Sequence, residues 1–178
     1  LYVSNYYQIC VGQGYTAAGD FAPLRHLWSL AVEEQFYLLW PVMLGGICWF
    51  ANRRGLSRRR AVLLVALTGA IASTIWMAAL SISRGMPLDA DPTRVYFGTD
   101  THAMGIFLGA ALATVRGFSG YRQRLDTLGL AALVSLFALF HFVNEAISSY
   151  RYGIPLASVC SMVLIAVASL PGGLIARG

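Results

Sequence analysis

The chain has 178 residues, of which 57% are hydrophobic and only 12% charged, and its formal net charge is +5. Soluble domains carry about 25% charged residues, so this composition excludes an ordinary soluble domain and predicts an all-α, polytopic integral membrane protein. The arginines form clusters without the interleaved aromatics of nucleic-acid binders. We therefore expect a lipid bilayer as partner and no nucleic acid.

Five segments have the length of about 20 mostly apolar residues that a helix needs to cross a bilayer. They cover residues 27–50, 61–82, 98–116, 125–143 and 154–176. The stretch before them, LYVSNYYQICV, is too short to cross and resembles the end of a helix that begins earlier. We interpret residues 1–178 as one partial membrane domain that lacks its N-terminal helices.

The arginines predict how these helices are oriented, because short loops rich in arginine stay in the cytoplasm. The loop 51–60 contains Arg53, Arg54 and the run from Arg58 to Arg60, and we expect it to be cytoplasmic. Alternation along the chain then places nine of the thirteen arginines on the cytoplasmic side. It also places residues 12–26 outside.

The first predicted span contains two adjacent acids, Glu33 and Glu34, in the run HLWSLAVEEQFYLLWP. Glu33 lies about 9 Å below a helix start at Leu27, where an acid that faces lipid costs about 2.5–3.5 kcal/mol. Glu34 lies about 100° further around the helix. Five polar or hydrogen-bonding side chains share the face of Glu33, which predicts the wall of a polar cavity: His26, Ser29, Glu33, Tyr37 and Trp40. A structural role in interhelical hydrogen bonds is the alternative.

Three segments resemble, in the same order, motifs of the acyltransferase 3 family of integral membrane O-acyltransferases. The run 26–41 is similar to the family's W-S-L-x-V-E-x-Q-F-Y, and its acid falls on Glu33. Residues 94–103, RVYFGTDTHA, resemble R-x-Y-x-G-T-D-T-R-A, and residues 1–7 resemble the helix end F-Y-V-S-N-W. The chain departs from the family at His102, because the family usually has an arginine there. A histidine is mostly neutral at pH 7 and cannot bind an anion through two parallel hydrogen bonds.

The resemblance implies transfer of an acyl group, often acetyl, from cytoplasmic acyl-CoA to a sugar hydroxyl. The acceptor would be a cell-envelope or secreted glycan or glycolipid, such as lipopolysaccharide, exopolysaccharide or peptidoglycan, at the bacterial inner membrane. Acyl-CoA would be a donor substrate, and we expect no bound cofactor. In the family an arginine and a histidine of the first transmembrane helix are central to catalysis. That helix is absent here, so we expect the chain alone to be inactive.

Candidate site residues follow from the motifs and from the needs of acyl transfer, namely a general base and donors for the thioester oxygen. Glu33 would orient the family's histidine, stabilise its protonated form or hold the acceptor hydroxyl. His26 is the local alternative for a base, although it lies about 10.5 Å from Glu33 along the axis. We expect five residues to contact substrate: Ser29, Tyr37, Arg94, Asp100 and His102.

Other interpretations remain open at this stage. No metal is expected, because the spacing of Asp89, Asp91, Asp100 and His102 matches no ligand pattern. The pair Gly105 and Gly109 is predicted to pack helices closely rather than to contact a ligand. The chain could instead be a transporter or flippase-like module with a relay between Glu33 and His26, or a structural membrane subunit.

Overall fold

The computed structural model describes residues 2–12, 26–85, 91–115, 122–142 and 149–169. Within these ranges the chain is helical and contains no strand, which confirms the prediction of an all-α fold. Several residues used to orient the helices lie outside the described residues, among them Asp89, Arg116, Glu145 and Arg177. The helices are α1 (Ser4–Cys10), α2 (Leu27–Arg53), α3 (Arg58–Ser83), α4 (Thr93–Phe97), α5 (Thr99–His102), α6 (Met104–Thr114), α7 (Arg122–Phe142) and α8 (Ile154–Ala168), with a π-helical turn (Ser149–Gly153) before α8.

Helix α3 lies at the centre of the described helices. It packs against α2, α5 and α6, while α8 packs between α6 and α7. The short helix α1 packs on α2 and α4. The compact segment from α4 to α5, residues 93–102, is therefore held from two sides, and we call it the corner segment.

Two small buried clusters flank the corner segment. One contains Met77 and Met104 around Val95. The other contains Trp28 and Val32 around Phe97. The corner segment contributes Val95 to one cluster and Phe97 to the other. This segment therefore joins the centre of α3 to the N-terminal half of α2.

Many large apolar side chains outside these clusters are exposed. On α3 they recur at helical spacing along one face: Leu64, Leu67, Ile71, Ile75 and Ile82. A contiguous apolar face of this kind is typical of a surface that meets lipid or another protein.

Two of the described helical stretches are long and apolar enough to cross a membrane by length and composition, Arg58–Ser83 and Ser149–Ala168. Two shorter apolar stretches, Met104–Thr114 and Leu125–His141, correspond to two further predicted spans. Helix α2 has 27 residues, but Glu33 and its acidic and amide neighbours lower its hydropathy. The predicted count of five spans is therefore not confirmed.

Helix boundaries differ from the prediction at two places. The predicted loop 51–60 is mostly helical, because α2 continues to Arg53 and α3 begins at Arg58. Gly55 closes the turn between them with φ of 64°, a left-handed conformation that costs glycine little. The predicted span 98–116 is divided into α5 and α6 at Ala103.

Close helix packing occurs at glycines. A Cβ atom on Gly69 of α3 would lie 2.9 Å from the ring of Phe107 on α6, and one on Gly129 of α7 would lie 3.1 Å from Val167 on α8. Without a hydrophobic driving force between helices in lipid, such close approaches carry much of the packing energy. Gly69 therefore sets the distance between α3 and α6.

We expect Gly69→Leu to destabilise the protein by about 1–3 kcal/mol, because the added side chain overpacks the contact with Phe107. The measurement is the midpoint of thermal unfolding of the detergent-solubilised protein. Gly45→Leu is the matched control, because a Cβ atom on Gly45 of α2 meets nothing within 4 Å. Equal midpoints for the two variants would contradict the assignment.

Candidate functional site

A closed ring of hydrogen bonds joins α1, α2 and α5. Asn5 Nδ2 donates to Thr99 Oγ1 over 2.9 Å, Thr99 Oγ1 donates to Gln35 Oε1 over 2.6 Å, and Gln35 Nε2 donates to Asn5 Oδ1 over 3.1 Å. The second amide hydrogens are also used, because Asn5 donates to the carbonyl of Phe97 and Gln35 to that of Tyr2. Asn5 is fully buried.

The ring has a clear physical reason to persist. A buried amide without partners costs several kcal/mol in apolar surroundings, and here both amides and the hydroxyl are satisfied by one another. Each of the three residues comes from a different one of the three motif-like segments. Sequence reasoning did not single out Asn5, Gln35 or Thr99. The signal that could have found them is an amide in an otherwise apolar helical segment.

A second polar cluster lies at the other side of the corner segment. Arg94 and Asp100 form a bidentate ion pair with distances of 3.0 Å (Nη1 to Oδ1) and 2.6 Å (Nη2 to Oδ2). The indole of Trp76 donates to Asp100 Oδ2, and Ser73 donates to the Asp100 carbonyl. The hydrogen bond with Asp100 raises the pKa of the Arg94 guanidinium above its ordinary value. These bonds attach the corner segment to α3.

Gly98 makes room for this ion pair. A Cβ atom at this position would come into close contact with Arg94 Nη1 and would lie 2.7 Å from Asp100 Oδ1 and 2.8 Å from Thr101 Oγ1. The Thr101 hydroxyl donates to the carbonyls of Val95 and Gly98, which closes the corner. With any larger residue at this position, these side chains would have to move from the positions in which they bond.

His102 lies among aromatic side chains at the end of the corner segment. Its ring meets Trp28 edge-on at 5.0 Å and Tyr96 at 5.4 Å between centroids. Its Nδ1 atom is buried and has no hydrogen-bond partner among the described residues. His102 therefore contacts α2 through the Trp28 ring.

The predicted polar face of α2 points outward. His26, Ser29, Glu33 and Tyr37 are all exposed, Tyr37 by 67%. Within the described part of the chain the Glu33 carboxylate makes no hydrogen bond or ion pair. Trp40, the fifth member of the predicted face, packs against Phe36 and Phe107 instead.

Glu34 differs from its neighbour. It is partly buried, and its Oε2 atom is enclosed without a hydrogen-bond partner in the described ranges. The structure thus separates the two acids into an exposed carboxylate and a partly enclosed one. Among the described residues, Arg94 and Asp100 hydrogen-bond to each other and to α3, and not to the polar face of α2.

The described residues contain no group of three or more His, Cys, Asp or Glu side chains that could hold a metal ion. Asp89 of the metal alternative lies outside the described residues. The residues that come together are amides, hydroxyls, aromatics and one ion pair. Such groups can bind and orient a polar substrate, and a general base has to come from Glu33, from a histidine or from outside this set.

These features define the class: over the described residues the protein is a set of apolar helices with a polar network where α1, α2 and the corner segment meet. The chain is 34% identical, over an alignment of 187 positions, to the protein named peptidoglycan O-acetyltransferase OatA of Listeria monocytogenes. It is 32% identical over 190 positions to the protein named O-acetyltransferase OatA of Staphylococcus aureus. Both alignments include 99% of this chain. The chain is therefore similar to a part of bacterial proteins named O-acetyltransferases, which supports the resemblance to the acyltransferase 3 family.

The similarity concerns a limited part of the relatives. The chain spans 28% of the length of the Listeria protein and 29% of the Staphylococcus protein. No model of a known protein family matches the chain, and no solved structure matches it.

We expect Gln35→Leu to lower the stability by about 1–3 kcal/mol for each group that loses its partner, because it opens the ring and strands Asn5 Oδ1 and the Thr99 hydroxyl. Thermal unfolding in detergent measures the effect. Tyr37→Phe, which removes only an exposed hydroxyl from the same helix, serves as control. A Gln35→Leu protein as stable as this control would contradict a structural role for the ring.

We expect Gly98→Ala to weaken the Arg94–Asp100 pair, because the new methyl group would come too close to Arg94 Nη1 and Asp100 Oδ1 and displace them from their present positions. The measurement is a double-mutant cycle on the unfolding midpoint. Asp100→Asn should lower the midpoint in the wild-type background and have much less effect in the Gly98→Ala background. The control background is Gly46→Ala on α2, where a Cβ atom meets nothing within 4 Å. The same effect of Asp100→Asn in all backgrounds would refute the steric argument.

Proposed function

We propose that this chain forms part of the membrane domain of an O-acyltransferase. The enzyme would transfer an acyl group, most simply acetyl, from acyl-CoA to a hydroxyl of a cell-envelope glycan. The names of the two relatives support acetyl as the group, and the name of the Listeria protein supports peptidoglycan as an acceptor. Only the O-acetyltransferase relationship itself rests on the similarity; donor and acceptor are part of the proposal.

The proposed setting is the inner membrane, crossed several times. Two described stretches have the length and composition of a span, and α2 and α7 have 27 and 21 residues, or about 40 and 30 Å at 1.5 Å per residue. The hydrocarbon core is about 30 Å thick. We propose five crossings, with the turn between α2 and α3 in the cytoplasm because Arg53, Arg54 and Arg58–Arg60 surround it.

The observation that carries the proposal is the position of Glu33 relative to the ring. Gln35, two residues further on, is held by Asn5 and Thr99, so the backbone of α2 is fixed at this depth. Glu33 nevertheless points away from the described helices with a carboxylate that has no partner there. An acid in an apolar helix is costly unless it meets water, protein or substrate. We propose that this face borders the reaction site.

The proposed role of Glu33 is to orient and stabilise a general base, or to bind the acceptor hydroxyl directly. His26 lies on the same exposed face and is the base that this chain itself offers. Ser29 and Tyr37 provide hydroxyls on either side of Glu33 for an acceptor sugar. A hydroxyl nucleophile needs such a base, since it is weak at its ordinary pKa.

The corner segment has a positioning role in this proposal. Arg94 and Asp100 are engaged with each other, and they hold the segment on α3 while Thr99 holds it on α2. Direct contact of Arg94, Asp100 or His102 with substrate remains a prediction. The arginines near residues 51–60 would favour the approach of acyl-CoA from the cytoplasm, because its phosphates are anionic.

The transporter interpretation is not favoured. It rested on Glu33 and His26 as members of a proton relay, and these side chains form no hydrogen-bonded chain with each other in the described residues. The relatives also bear the names of O-acetyltransferases.

We expect Glu33→Gln to lower acetyl transfer by about 100-fold or more, the range found when an acid–base group is lost. The assay uses membranes from cells that make the intact gene product, with labelled acetyl-CoA as donor and transfer to cell-wall glycan as readout. The amide keeps the size of the side chain and removes the negative charge. The expected result is loss of transfer at an unchanged amount of membrane-inserted protein.

Glu34→Gln provides the matched control, since it removes the same charge one residue along the helix. Transfer should fall much less in this variant. If Glu33→Gln retained full transfer, Glu33 would be excluded from the site. If wild-type membranes did not transfer the label from acetyl-CoA to the glycan, the proposed donor would be wrong.

A further inference from the structure

A groove of about 650 Å³ lies between α6 and α8, away from the polar network. Helix α6 forms one wall with two glycines and small or aliphatic side chains, and α8 forms the other. The lining residues include Gly105, Gly109, Leu112, Val115, Ser161 and Ile165. None of the residues assigned to the acyltransferase site lines it.

The contact between the two walls of the groove differs between the two glycines of α6. At the end of the groove near the N-terminus of α6, a Cβ atom on Gly105 would lie 3.7 Å from Ser158 Oγ, an ordinary contact distance. One turn further, a Cβ atom on Gly109 would meet nothing within 4 Å. The prediction that this glycine pair packs helices closely is therefore wrong for Gly109, which borders open space instead.

The shape and chemistry of the groove suit a hydrocarbon chain. Its α6 wall runs from Gly105 to Val115, about 15 Å at 1.5 Å per residue, which is half of a bilayer core of about 30 Å. Most of the lining is aliphatic or small. The hydroxyls of Ser158 and Ser169 are already bonded to the carbonyls of Ile154 and Ile165 in their own helix.

A cationic group lies at the other end of the groove, next to the C-terminus of α6. The Nε atom of Arg59 donates to the carbonyl of Thr114, beside Val115. Its two terminal nitrogens have no partner among the described residues. Arg58 and Arg60 are exposed next to it. An apolar groove that ends at a guanidinium complements a ligand with an apolar tail and an anionic head.

We propose that this groove binds one acyl chain of an anionic glycerophospholipid from the cytoplasmic leaflet, with the lipid phosphate at Arg59. The orientation follows from the position of Arg59 in the first turn of α3, next to the loop that we propose to be cytoplasmic. A CoA thioester fits less well, because its pantetheine arm carries two amides and the groove offers few free polar groups for them. The proposal does not depend on the catalytic role of Glu33.

The test uses the intact gene product in lipid nanodiscs and a phosphatidylglycerol that carries a photoactivatable diazirine in one acyl chain. After illumination, mass spectrometry maps the labelled peptides. We expect labelling of residues 104–115 and 154–169 several-fold above that by a phosphatidylcholine with the same chain. We expect Gly109→Leu to lower this labelling at least fivefold, because leucine fills the groove.

Gly45→Leu is the matched control, because it adds the same side chain to an exposed glycine of α2, and it should leave the labelling unchanged. Ser161→Leu fills the groove from the α8 wall and provides a second test if Gly109→Leu does not fold. Arg59→Gln should reduce the preference for phosphatidylglycerol about fivefold. Arg60→Gln, which removes the same charge next to it, should change the preference less than twofold.

Three results would overturn the proposal. The first is that both groove-filling variants, Gly109→Leu and Ser161→Leu, fold and are still labelled as strongly as the wild-type protein. The second is that the phosphatidylglycerol probe and the phosphatidylcholine probe label the groove equally. The third is labelling of the groove by a diazirine acyl-CoA and not by phosphatidylglycerol, which would assign the groove to the acyl donor.

Discussion

The cyclic hydrogen bonding of Asn5, Gln35 and Thr99 is the constraint on which the arrangement of α1, α2 and the corner segment depends. These residues lie up to 94 positions apart in the chain. In apolar surroundings each amide has to find partners within the protein, because water is not available to replace them. The three groups satisfy one another only in one relative placement of their helices. The network therefore determines which faces of α2 turn inward and which remain outside.

Polar bonds and apolar contacts hold different parts of the structure together. The polar bonds are concentrated around the corner segment, where the ring attaches it to α1 and α2, and where Asp100 attaches it to Trp76 and Ser73 of α3. Elsewhere the helices meet through glycine, at Gly69 and Gly129. Where this close contact is missing, at Gly109, a groove opens. One residue type thus has opposite consequences, depending on what the facing helix presents.

The outward position of Glu33 connects the fold with the proposed chemistry. A carboxylate is most useful in acyl transfer when a base or a hydroxyl can approach it, and the exposed side chain of Glu33 allows such an approach. Glu34 is partly enclosed and has no comparable access. The distinction between the two acids, which sequence spacing suggested, therefore has a counterpart in their exposure.

The sequence by itself determined the helical class, the similarity to bacterial O-acetyltransferases and the candidate site residues, because hydropathy and short motifs are local properties. Its motifs contained the ring and the ion pair, but the roles of Asn5, Gln35 and Thr99 could not be inferred from spacing, since hydrogen bonds between distant segments depend on how helices pack. Spacing also predicted that one face of α2 lines a polar cavity. Spacing shows which side chains share a face, but it does not show what lies against that face. Only the tertiary structure decided that Arg94 and Asp100 bind each other, that Gly98 makes room for them and that Gly109 borders a groove. Each of these depends on distances between helices, which side chains from several parts of the chain set together.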